Sequence, residues 1–412
     1  MANAGSIEFP CAQPSEWSRF RRHKRFDATE GEASTMIQSL SAFDMFKIGI
    51  GPSSSHTMGP WTAASQFVDE LGSSVSDVDR LAVDLYGSLA KTGKGHGTDI
   101  AVQLGLSGYD AKTMEVDSIE QIINQIALSK TIRVAGRDIR FIPANDIRFH
   151  FDRQLPEHPN GMCFSATLAG GEQRESVFYS VGGGFVVKEG DEASVNGPVQ
   201  LPFPIDSASD LIGHCDRESM HISEVVMQNE RAWRSDEKIL SGLAAIRDAM
   251  FDCIHRGCLT EGTLPGGINV QRRASRMANE LIGGTCPASC DEWRDKLFDQ
   301  AHDFRHVLDW VTCFALAVNE QNAAFGRVVT APTNGAAGVI PSVLMYLECF
   351  CQPAVDAYVN FLLTAAEIGC IFKKGATISA AMGGCQAEIG VSSAMAAGAL
   401  TEGLGGSPRQ AT

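Results

Sequence analysis

No C-x-x-C pair occurs among the 12 cysteines of this 412-residue chain. The zinc-ribbon and dithiol redox motifs built on that spacing are therefore missing. Cys253/Cys258 and Cys286/Cys290 are spaced like ligand pairs, but neither has a tidy second half. No secretory leader is expected either, because the basic stretch Arg19 to Arg25 has no apolar run beside it. The expectation is of reduced thiols in a cytoplasmic protein, most of them buried as small hydrophobes. No strongly apolar, uncharged run of about 18 residues appears, so no membrane span is expected. The nearest stretch, Ile378 to Leu400, is rich in Ala, Gly and Ser, carries Glu388, and reads as a buried helical region. Positive charge is short too. With 34 Lys and Arg against 49 Asp and Glu, the net charge is -15, which argues against nucleic acid or an anionic membrane as partner. What is present is 44% hydrophobic and 20% charged, a globular composition long enough for two domains.

The chain is organised around Lys47 to Pro60, where Ser53, Ser54, Ser55, Thr57 and His56 sit between glycines and prolines. Trp61, Ala64, Val68 and Leu71 follow at helical spacing, so the cluster opens a helix. A helix start offers unpaired N–H groups to a carboxylate or phosphate. The plainer reading is a helix start with surplus caps.

The expected fold class is α+β: a mixed α/β N-terminal domain followed by an all-α C-terminal domain. Residues 1–35 read as a disordered extension, or as upstream sequence before a true start at Met36, residues 36–190 as the α/β domain, 191–206 as a linker, and 207–412 as the helical domain. Leu81, Val83 and Leu85 alternate as in a half-buried strand, as do Ile147, Phe149 and Phe151. Ile119, Ile122, Ile123 and Ile126 form a helical stripe between strands. Beyond residue 206 strand patterns vanish, and Ile239, Leu243, Ile246, Met250 and Ile254 mark a long amphipathic helix.

Several loops stand out. Gly87 to Asp99 holds Lys94 and His96 and lacks the P-loop spacing; Thr98 or Asp99 can cap the helix after it. Leu155 to Met162 contains Asn160-Gly161, a strong turn signal. Thr330 to Gly338 offers Thr333 and, as an N-cap, Asn334. Gly383 to Gly390 places Cys385 after two glycines and beside Glu388, where a metal ligand and a buried thiol are both open.

Together these segments closely resemble the iron–sulfur L-serine dehydratases (L-serine ammonia-lyases) of bacteria in their single-chain form. The stretches that carry the likeness are Phe46 to Thr57, Thr92 to Asp99, His158 to Met162, Gly262 to Gly267, Thr330 to Gly338 and Gly384-Cys385-Gln386, collinear from about Ser41 to Pro408. The resemblance implies a helical domain holding a [4Fe–4S] cluster on three cysteines, Cys385 among them, whose fourth iron binds serine. It implies His56 as the first choice of base and His96 as the second. Lys94, Ser53, Ser54, Ser55, Thr57, Thr98, Asp99, Thr333, Asn334 and Gly335 would orient L-serine. A cytoplasmic homodimer is the expected assembly.

The sequence departs from the family near Cys385. The other two cluster cysteines of the family lie several dozen residues further on, so the expectation is of a chain truncated before them. Met382 and Gly383 stand where relatives carry an acid and a valine, and Gly375 follows Lys374 where they carry asparagine. Two alternatives stay open. One is a cluster-free relative that binds a small amino acid without turnover. The other is a pyridoxal-phosphate lyase using Val181 to Phe185 and Lys188, although no clear Schiff-base lysine motif is present.

Overall fold

The computed structural model describes residues 39–191, 199–298, 303–351, 353–376, 378 and 383–412; of Cys385 it describes the backbone alone. The extension 1–35, residues 192–198 of the linker reading and Met382 lie outside the described residues. Among the described residues no helix is long and apolar enough to cross a membrane.

The N-terminal part is built on strand alternation. The strands are β1 (Lys47–Ile50), β2 (Val78–Tyr86), β3 (Thr131–Val134), β4 (Arg137–Arg140), β5 (Ile147–His150), β6 (Gly161–Leu168), β7 (Gln173–Gly182) and β8 (Phe185–Lys188), of which β2 and β5 fall on the alternating runs read from the sequence. All but β1 join one seven-stranded mixed sheet in the order β3–β4–β2–β6–β7–β8. Strand β5 runs parallel to the end of β2, with Val83 opposite Ile147. Leu81, Val83 and Leu85 are 1%, 0% and 0% exposed, because successive side chains leave opposite faces of a pleat. After α1 (Ala42–Met45), which Ser41 caps, come α2 (Gly59–Leu71), α3 (Gly87–Thr92), α4 (Thr98–Leu106) and α5 (Ile119–Ser129). Phe67 of α2, Val102 of α4 and Ile126 of α5 pack with Phe164 and Phe178 of the sheet. Burial of Phe67 alone contributes roughly 2–3 kcal/mol.

The C-terminal part is helical, with the long helix Asp236–Leu259 on the predicted stripe: Ile239, Leu243 and Met250 are fully buried. One strand breaks the expectation. Strand β9 (Arg327–Thr330) pairs antiparallel with β1, Lys47 opposite Thr330 and Ile50 opposite Arg327. Four residues are too few to show a period, and the partner lies at the far end of the chain. This ribbon fastens the loop after β1 to the loop after β9, and the candidate site lies there.

Candidate functional site

The hydroxyl-rich stretch folds into a π-helical turn, Ser54–Met58, that runs straight into α2. Ser53 caps it, its hydroxyl accepting from the His56 amide at 3.1 Å. The amides of Thr57 and Met58 donate to the Ser53 carbonyl, and that of Ser53 donates to the Thr57 hydroxyl. These groups are spent inside the turn, so the expectation of free helix-start amides for an anion does not hold for them.

His56 is buried, 7% exposed, with a hydroxyl on each ring nitrogen: Ser55 Oγ lies 2.8 Å from Nδ1 and Ser88 Oγ 2.9 Å from Nε2. Burial, with His96 adding to it, lowers its pKa to about 4. The imidazole is therefore neutral at physiological pH, accepting from one hydroxyl and donating to the other. His96 sits beside it, ring centroids 4.9 Å apart. Its Nδ1 is 2.9 Å from the Thr92 carbonyl, an acceptor only, so Nδ1 carries the proton and Nε2 the lone pair.

The two histidine turns are tied crosswise. Thr57 Oγ1 donates to the His96 carbonyl at 2.8 Å, and Thr98 Oγ1 donates to the His56 carbonyl at 2.6 Å. Both threonines are fully buried, so their hydroxyls join the turns rather than face outward. Thr98 accordingly does not cap α4, contrary to expectation. The N-cap is Gly97, at φ 60°, where a Cβ would also come within 2.1 Å of the Phe325 ring. Only glycine accepts both conditions without strain.

The opposite wall comes from the helical part. Asn334 is wholly buried and does not cap the next helix, which begins at Val339 behind Gly338. Its amide accepts from Thr330 Oγ1 at 2.6 Å and donates to Asn322 Oδ1 at 3.3 Å, while Asn322 Nδ2 donates to the Pro52 carbonyl at 2.9 Å. Two asparagines thus bind the loop after β1 to the loop after β9. Thr333 is 1% exposed, and its hydroxyl completes no hydrogen bond among the described residues. Facing this loop is Glu388. Its Oε2 lies 2.3 Å from where a Cβ on Gly335 would stand, so the carboxylate occupies the space that glycine leaves. Burial raises the Glu388 pKa, while the nearby Thr333 hydroxyl and His96 pull it down.

The structure thus gathers Ser53, Ser55, His56, Thr57, His96, Thr98, Thr333, Asn334 and Gly335. Ser54 is buried within the turn. Lys94 is exposed, its ammonium 5.4 Å from the Phe149 ring, and Asp99 lies near it, half-buried with a raised pKa. The Cys385 side chain lies outside the described residues. Sequence reasoning left out Ser88, Asn322 and Glu388. Ser88 looks like any helix-start serine; it is placed because its amide donates to the Pro159 carbonyl at 2.8 Å. That bond also explains the His158-Pro159-Asn160 segment, whose Asn160 is buried against β7 rather than forming an exposed hairpin tip. Glu388 did carry a signal, as an acid inside an Ala/Gly-rich run. A cavity of about 570 Å³ lies beyond Lys47, Met58 and Trp61 and contains neither site histidine.

Two family descriptions match the chain: serine dehydratase beta chain over residues 41–191 and serine dehydratase alpha chain over residues 217–412. The chain is 45% identical over 379 residues to L-serine dehydratase 1 of Escherichia coli K12, covering 90% of this chain and 80% of that one. It is 44% identical over 380 residues to L-serine dehydratase of Streptomyces coelicolor, with the same shares. To the Helicobacter pylori L-serine dehydratase it is 38% identical over 375 residues, 88% of this chain and 78% of that one.

Proposed function

The chain belongs to the serine dehydratase family, and from that premise we propose that it is an L-serine ammonia-lyase. It takes L-serine to aminoacrylate, which tautomerises and hydrolyses to pyruvate and ammonia. The observation that carries the reading is the meeting of two imidazoles and a carboxylate at a hydroxyl-rich seam, in a chain 45% identical to an L-serine dehydratase. The cluster-free binding reading is not favoured by that identity.

Elimination needs a base for the Cα proton and a proton for the departing β-hydroxyl; the C–H electron pair becomes the C=C bond and water leaves. We assign the proton acceptor to His96 ahead of His56. His96 is half-buried and presents the lone pair on Nε2, whereas His56 is buried with both nitrogens taken by hydroxyls. Ser55 and Ser88 hold the His56 ring in place, and the Thr57 and Thr98 ties fix its distance from His96. To Lys94, which acts electrostatically on Asp99, and to the Ser53 and Ser55 hydroxyls beside His56 we assign orientation of the substrate carboxylate.

A [4Fe–4S] cluster with Cys385 as one ligand is the proposal that the resemblance supplies. It would act as a Lewis acid on the β-hydroxyl. The described residues do not fit such a group. Among them no three His, Cys, Asp or Glu gather to hold a metal ion, and burial pushes the Cys349 thiol up to about 12 and the Cys370 thiol well above its usual value. Every step above is therefore confined to the chain's own groups. We also propose a division into domains at 36–190 and 207–412, a homodimer, and a cytoplasmic location. Sedimentation velocity tests the dimer.

The experiment is a coupled pyruvate assay on anaerobically purified, iron-reconstituted protein. Serine-dependent pyruvate that falls sharply in both histidine variants supports the reading. Folded, iron-loaded protein that makes none would sink it.

A further inference from the structure

Resting on the lyase reading, we propose that Glu388 is the socket for the substrate's ammonium group, and so the residue that restricts the site to amino acids. Three observations carry it. First, the carboxylate is given room at the site: any side chain at position 335 would collide with Oε2 at 2.3 Å. Second, among the described residues neither a helix amide nor a basic side chain claims it. Glu388 stands at the N-cap position of the helix Ile389–Gly403, yet its side chain makes no cap hydrogen bond there. Among the described residues no Lys or Arg pairs with it, and the charged group acting on it is His96. Third, beside it lies a buried hydroxyl, that of Thr333, which is 1% exposed, has no partner of full hydrogen-bond geometry among the described residues, and acts on the Glu388 carboxylate itself.

A half-buried carboxylate that no lysine or arginine pairs with, beside one weakly held hydroxyl, is costly unless further donors arrive, since polar groups taken from water lose hydration without full compensation. A primary ammonium brings three N–H donors and a positive charge, enough for both Glu388 oxygens and Thr333 Oγ1 together. A hydroxy acid or an unsubstituted acid brings no cation and would leave the carboxylate desolvated. Discrimination follows from the group left unpaired as much as from the bond gained. The ammonium would also lie in the neighbourhood of His96, the charged group that acts on Glu388.

The competing role for Glu388 is to act only through His96, by holding its imidazolium. The test separates the two. L-Serine and 3-hydroxypropanoate share the carboxylate and β-hydroxyl and differ by the ammonium. Their dissociation constants are measured by calorimetry on the full chain, alongside KM and kcat for serine, in the parent and in Glu388→Gln and Glu388→Asp. The expected result is serine binding about 10- to 100-fold weaker in Glu388→Gln, with part recovered in Glu388→Asp. Binding of 3-hydroxypropanoate stays within about twofold or tightens, because the unpaired charge has gone. Equal weakening of both ligands overturns the proposal, as does a fall in kcat with serine affinity unchanged. Glutamine matches glutamate in shape, and a melting temperature equal to the parent's guards against misfolding. The lyase reading fails separately: ammonium-selective binding lost in Glu388→Gln, with no pyruvate from the parent, leaves the socket standing and removes the reaction. If the parent binds serine no better than 3-hydroxypropanoate, the socket itself is refuted.

Discussion

The two walls of the site are finished to different degrees. On the α/β side the two histidine turns are tied: His56 has a hydroxyl on each nitrogen, and Thr57 and Thr98 each donate to the other turn's backbone. On the helical side, behind the closed Asn334–Asn322 tie, Thr333 and Glu388 have at most each other. The first wall is pre-organised in the free protein, as proton-transfer groups require. The second is left open for a ligand to complete. The contrast also says where stability and function part: loss of a tied group should cost folding, whereas loss of an idle one should cost binding.

The largest expected effect tests the finished wall. His96→Ala should lower serine-dependent pyruvate formation by about 10²–10⁴-fold, the usual worth of a positioned base. Full activity in His96→Ala with loss in His56→Ala would move the base to His56. Next is a pH effect on folding. The folded-state pKa of His56, about 4, lies below its ordinary value of 6.5. Protonation therefore favours the unfolded chain: the contribution is complete above pH 6.5 and is lost as pH falls toward 4. That loss amounts to roughly 3 kcal/mol. Denaturant midpoints at pH 7 and pH 4.5 in the parent and in His56→Gln should differ by less in the variant; an equal difference counts against it.

A matched pair then sets the two walls side by side. Thr98→Val removes a spent hydroxyl and should cost about 1–2 kcal/mol of stability, since the His56 carbonyl is left without its donor. Thr333→Val removes an idle one and should be neutral or slightly stabilising, while serine binding weakens. Equal destabilisation by both would erase the distinction. The smallest expected change is Ser88→Ala. It frees His56 Nε2 from its hydroxyl and should lower kcat by about 3- to 10-fold with KM little changed, a loss near 1 kcal/mol.

Much of this site was legible before any coordinates. Ser53 to Thr57 and Lys94 to Asp99 announce themselves because glycines, hydroxyls and histidines crowd into short loops. The strands with Leu81, Val83 and Leu85 declare themselves through a period of two. Ser88 and Asn322 were not legible. Each is an ordinary polar residue at a helix end, and its importance comes from a partner across space: the His56 ring for one, Pro52 and Asn334 for the other. The N-cap readings of Thr98 and Asn334 failed because each side chain found another partner: the Thr98 hydroxyl donates to the distant His56 carbonyl, and Asn334 Oδ1 accepts from the Thr330 hydroxyl rather than from a helix amide. β9 escaped because four residues carry no period and their pairing with β1 is wholly long-range.

By itself, then, the sequence determined the family, the α+β succession and the loops that hold the chemistry, since composition and spacing are local properties. Only the tertiary structure decided which hydroxyls are spent and which are idle. It also decided that His56 is held neutral and that Glu388 fills the room left by Gly335. Those outcomes depend on desolvation and on partners far away in the chain, and neither is written in any single segment.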